Sequence, residues 1–158
     1  MTILSGPAAY PQNLSGIRFL ANPAQQIYIE GGFNLLRHQA RILLVAIKNE
    51  DTERLEQDLV DYKFAVRNYL KIVSKELYLH LRHGLPETDP LRNEFLRFEQ
   101  HTYTLIRIIA GFLWQCDLIP KEDGARLKSI ILRIDQLLIS RYREEDKVLW
   151  PMYELKPA

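Results

Sequence analysis

The chain of 158 residues carries 21 Lys plus Arg against 20 Asp plus Glu, a net charge of +1 spread without a basic block or an acidic tail, so bulk charge recruits neither nucleic acid nor an anionic membrane. Hydrophobic residues make up 47%, ample for one packed domain, and the single cysteine, Cys116, excludes an internal disulfide and a thiolate metal site, which fits a reducing, cytoplasmic compartment. The N-terminus lacks the basic start and apolar run of a signal peptide, and the most apolar window, 105–119, is broken by Arg107, Gln115 and Asp117, so no membrane span is expected.

Residues 1–22 are rich in Gly, Pro, Ser and Asn without periodicity and read as an irregular arm. Asn22-Pro23 is a capping residue followed by a proline suited to a first helical turn, and a first helix is predicted over 23–48, with Gly31-Gly32 as a weak point that bends it or delays its start. This helix is apolar on more than one side: Ile29, Phe33, Leu36, Ala40, Leu43 and Ile47 form one row, and Leu35, His38, Ile42 and Val45 another. His38 is therefore expected on or beside the buried face.

Asp51 caps a second helix over 52–83, with the stripe Leu55, Leu59, Tyr62, Val66, Tyr69, Val73 and Leu77, and Gly84 stops it. Asp89-Pro90 opens a third helix to about Cys116 through Leu91, Phe95, Phe98, His101, Leu105, Ile108 and Phe112, which sets His101 in the stripe. After Pro120 and Gly124 a fourth helix follows. Its stripe Leu127, Ile130, Ile134, Leu137 and Leu138 continues into Arg141, Glu145, Val148 and Met152, and Pro151 is expected to end or kink it. Four long amphipathic helices on short turns specify an all-α, up-down-up-down four-helix bundle over 23–155.

An arginine and a carboxylate thus fall where apolar residues belong. Arg141 and Glu145 are four apart, stack on one face, and are expected to form a structural ion pair. The two halves of the chain also form a pseudo-repeat. LLRHQARILL and FEQHTYTLIR each carry a histidine, and YLKIVSKELYLHL parallels RYREEDKVLWPMY, setting Tyr69 against Arg141, Val73 against Glu145, and Leu77-Tyr78 against Leu149-Trp150.

This layout resembles the hemerythrin-like, cation-binding bundles, whose first and third helices carry an inward histidine and whose second and fourth carry His-x-x-x-Glu/Asp. The resemblance spans about 27–154 and implies iron as the cofactor, if any. Only His38, His101 and Glu145 match ligand positions, while Tyr69 and Arg141 stand in for histidines and Val73 for a bridging carboxylate, so the metal set reads as vestigial and no cofactor is expected. Glu76 and His80, also four apart, fall one turn too late in the repeat. A narrower resemblance, Arg141-Tyr142 followed by Glu145-Asp146, is to the regulator of sigma D family, without that family's Ser-Ala-Gly-His-Phe signature.

Taken singly, His38 and His101 read as core histidines, and His80 and His83 as residues serving the terminal carbonyls of the second helix. There is no glycine-rich phosphate loop, nucleophile elbow or strand pattern, so the chain is not expected to be an enzyme. The expected function is a regulatory or protein-interaction module with an unnamed protein partner. Two alternatives stand beside it: a non-haem iron protein that binds or senses oxygen or nitric oxide, and a sigma-factor-binding regulator.

Overall fold

The computed structural model describes residues 23–155, and among them every regular element is helical. The arm expected over 1–22 lies outside the described residues. The first rod is α1, Pro23–Lys48. The second is α2, Thr52–Val73, which passes through a π-helical turn, Ser74–Tyr78, into α3, Leu79–Gly84. The third is α4, Leu91–Leu118. The fourth is α5, Gly124–Glu144, continued by a second π turn, Glu145–Leu149, into α6, Trp150–Leu155.

Local chemistry sets these boundaries. A helix leaves its first N–H groups without partners, and the Asp51 and Asp123 carboxylates each accept one of them, from Arg54 and Arg126, at 3.2 Å. Asp89 does the same for Leu91 at 2.8 Å. Each such cap is worth about 1 kcal/mol. At the far end of α1 the chain reverses through Glu50, whose φ of 55° lies in the left-handed region. Asp51 N–H donates to the Ala46 carbonyl and Glu50 N–H to that of Ile47, both at 3.1 Å, the pair of bonds that closes a Schellman motif. Between α3 and α4 the Arg92 guanidinium donates to the Leu85 carbonyl, satisfying an acceptor that the turn leaves free.

The Gly31-Gly32 pair neither interrupts nor delays α1, which runs from Pro23 as expected. A Cβ on Gly32 would lie 3.5 Å from Ile72 and 3.6 Å from Tyr69, so α1 and α2 approach closely there, and tertiary contact offsets the pair's weak helix propensity.

α1 packs along α2 and α5, and α4 packs against α5 and α3, so four rods enclose one core. Phe33, Leu36 and Leu43 from α1, Tyr62 from α2, Phe95 and Ile109 from α4, and Ile131, Ile134 and Leu138 from α5 are almost wholly buried. Each large apolar side chain of this kind contributes about 1.5–3 kcal/mol. Polar ties staple the rods: Arg37 to Asp135 at 3.4 Å, Lys63 to Asp117, Arg82 to Glu99, and Lys121 to Glu56 at 2.7 Å.

The two π turns were not foreseen. In each, one N–H reaches five residues back, Leu79 to Ser74 and Trp150 to Glu145, so one extra residue fits into the turn and the facing side chains rotate. They fall within one residue of each other in the register that sets Tyr69 against Arg141. Pro151 does not end the fourth rod, which continues to Leu155. A proline crowds the carbonyl four residues back, here that of Lys147, and that carbonyl belongs to the widened turn.

Candidate functional site

The second π turn puts Glu145 inside the bundle, with 4% of its surface exposed. The first puts Tyr78 opposite it. The Tyr78 hydroxyl donates to Glu145 Oε2 at 2.6 Å and lies 2.8 Å from Thr102 Oγ1 on α4. Arg141, one turn before Glu145 on α5, extends a guanidinium N–H to Thr102 Oγ1 and to the Phe98 carbonyl, the latter at 2.6 Å. Its guanidinium carbon sits 3.7 Å above the Phe98 ring, a cation–π contact worth about 1–2 kcal/mol in a partly desolvated setting.

Counting hydrogens orders this cluster. Tyr78 has one O–H and gives it to Glu145, so Thr102 supplies the proton in the Thr102–Tyr78 bond. Thr102 Oγ1 also donates to the Phe98 carbonyl at 3.0 Å, so its single hydrogen is shared between that carbonyl and Tyr78, and Arg141 serves the carbonyl as well. The result is a hydrogen-bonded relay linking Arg141, Thr102, Tyr78 and Glu145, in which each bond polarises the next.

Burial dominates the electrostatics. Desolvation lifts the Glu145 carboxyl to about 7, against the opposing pull of the Tyr78 hydrogen bond and the Arg141 charge. Desolvation also raises the phenols of Tyr69 and Tyr78, and the neighbouring Glu145 raises both further. Tyr69 OH and Arg141 Nε are buried with no hydrogen-bond partner among the described residues. Tyr142 closes the layer by stacking on Phe33, with centroids 4.0 Å apart and planes within 6°. Cys116, in another layer of the core, has its thiol pushed up to about 11 by burial and is therefore a packing residue rather than a nucleophile.

The residues singled out from the sequence separate here. Arg141 and Glu145 share the site, but the expected direct ion pair is replaced by the two-hydroxyl bridge of Thr102 and Tyr78. Arg141 leans toward α4, where a carbonyl, a hydroxyl and an aromatic face are within reach. His38 and His101 are exposed, correcting the expectation that both face the core. Successive helical residues turn by about 100°, which places His38 about 200° around α1 from the fully buried Leu36. The row Phe98, His101, Leu105, Ile108 and Phe112 follows one flank of α4. Its centre runs through Phe95, Glu99, Thr102, Ile109 and Leu113.

The three residues matched to metal-ligand positions therefore do not converge, and no group of three or more His, Cys, Asp or Glu among the described residues is placed to hold a metal ion. This donor set does not fit iron. Sequence reasoning passed over Thr102 and gave Tyr78 no role. The inward phase of Thr102 was available from Phe95 and Ile109, seven residues to either side, whereas the meeting of Tyr78 with Glu145 depends on two π turns that carry no sequence signature.

Comparison of the chain with protein-family models, curated proteins and solved structures returns no match.

Proposed function

We propose that this chain is a hemerythrin-like, up-down-up-down four-helix bundle acting in the cytoplasm as a non-enzymatic regulatory or protein-interaction module. The observation that carries the reading is the relay. Glu145, the carboxylate that the resemblance assigns to metal, has its Oε2 engaged by Tyr78, and Arg141 supplies a permanent cation beside it. Of the three residues matched to ligand positions only Glu145 faces the interior, and there it is engaged by the chain's own residues rather than left open for a metal.

A surface feature supports the interaction half of the reading. Val60 and Phe64 on α2 are 54% and 68% exposed, and Trp114 and Leu118 on α4 are 64% and 61% exposed. The Lys63–Asp117 pair joins the two helices at the same level. Large apolar side chains left exposed on two helices that an ion pair joins are candidates for a contact site.

Two measurements test the reading. Elemental analysis after aerobic and after anaerobic purification is expected to find no stoichiometric iron, and two irons per chain would overturn the lost-site reading. A photo-crosslinking residue at position 64 or 114, irradiated in the native cell, is expected to yield a discrete protein adduct. A sigma factor in that adduct would select the sigma-binding alternative, and the absence of any adduct at both positions would overturn the interaction role.

A further inference from the structure

His38, displaced from the core, borders something else. A cleft of about 340 Å³ opens where the end of α1 meets the start of α2. Its floor is apolar, formed by Ile42, Val45 and Ala46, with Val45 56% exposed. Its rim carries two arginines, Arg41 on α1 and Arg54 on α2, with His38 one turn from Arg41, against one acidic residue, Asp51. The acidic groups nearby already have work elsewhere. The Asp51 carboxylate caps α2, and Asp135, which feels the charge of Arg41, is paired with Arg37 at 3.4 Å. Arg54 is 68% exposed and approaches Asp58 at 3.7 Å, a loose contact that a stronger anion would displace.

We propose that this cleft binds a small amphiphilic anion, with a carboxylate or sulfonate head between Arg41 and Arg54 and an apolar body on the Ile42, Val45 and Ala46 floor. The balance of charge favours an anion, because Arg41 and Arg54 line the cleft from two helices against the single carboxylate of Asp51, which is engaged as the α2 cap, and guanidinium fork geometry suits a planar oxyanion. The volume sits at the lower end of the range for small-molecule sites, which selects a compact ligand of roughly ten heavy atoms over a peptide or a membrane surface. The neighbouring cleft sets two carboxylates, Glu50 and Glu122, against Lys121 and Lys128, and Lys121 is already paired with Glu56, so it lacks the excess of cations found around Arg41 and Arg54.

The test is a titration of the ¹⁵N-labelled full chain with sodium decanoate below its micelle concentration, with decylammonium and decanol as controls. Saturable shifts at the amides of Val45, Ala46 and Asn49 are expected, with no matching response to decylammonium. The double variant Arg41→Gln, Arg54→Gln should weaken decanoate binding about tenfold or more. If that variant does not fold, Val45→Glu, which places a carboxylate on the exposed floor, should abolish the shifts. Shifts elsewhere on the bundle, an equal response to decylammonium, or unchanged affinity in the variants would overturn the proposal. Co-sedimentation with phosphatidylglycerol vesicles without any response to decanoate would overturn it in favour of a membrane surface.

Discussion

Tyr78 and Glu145 lie 67 residues apart in the chain and meet at 2.6 Å inside the bundle, each carried there by a π turn of its own rod. The bond joins the second and fourth rods and links two further residues, Thr102 and Arg141, into one buried cluster. Two of the predictions below follow from that cluster and two from the backbone.

Tyr78→Phe removes one oxygen and leaves the ring in place. Glu145 loses its donor and Thr102 one of its partners in a buried site, so unfolding free energy should fall by about 1–3 kcal/mol, and more when Glu145 is charged. Urea denaturation at pH 5 and pH 8 measures both effects. A loss below a few tenths of a kcal/mol at both pH values would show that the relay contributes nothing to stability.

The raised Glu145 carboxyl makes stability pH-dependent with a defined sign. Its folded pKa, about 7, exceeds the ordinary 4.5, so between these values the folded chain binds more protons than the unfolded one. Its contribution is complete below pH 4.5 and is lost as pH rises through 7, a change of order 3 kcal/mol. Glu145→Gln, which keeps the shape and the acceptor, should match the wild type near pH 4.5 and exceed it at pH 8. Parallel stability curves for the two proteins would refute the assignment.

Glu50 holds the left-handed position at the end of α1 with φ at 55°, a conformation that costs a residue bearing a Cβ roughly 1–2 kcal/mol. Glu50→Gly should therefore stabilise the protein by about 1 kcal/mol, the greater backbone freedom of glycine in the unfolded chain offsetting part of the gain. Thermal melting reads this directly, and a lower midpoint would sink the prediction.

The adjacent glycines of α1 should behave differently. Nothing lies within 4 Å of a Cβ built on Gly31, so Gly31→Ala should add up to about 1 kcal/mol from helix propensity. Gly32 faces Ile72 and Tyr69 at contact distance, so Gly32→Leu should force α1 away from α2 and cost about 1–3 kcal/mol by overpacking. Equal effects at the two positions would contradict the close approach of the helices.

The sequence alone determined the helical segments and most of their ends. α1 begins at Pro23 and stops at Lys48, Asp51 and Asp89 cap the helices that follow them, and the stripes from Leu55 and Leu127 do face the core. These are local matters of capping chemistry, proline geometry and a 3.6-residue period, each readable within a few neighbours. The tertiary structure decided which flank of each broad stripe turns inward. A step of three residues falls back about 60° and a step of four advances about 40°, so a row can slide off the core while remaining apolar, as the row through His101 does. The inward position on α4 passed to Thr102, and the face of α1 bearing His38 was left outside. Tertiary structure also supplied the partners of Arg141 and Glu145. Side chains four apart on one helix can pair, but Phe98 and Thr102 from the third rod and Tyr78 from the second supply the partners that the half-buried Arg141 and the buried Glu145 take instead of each other.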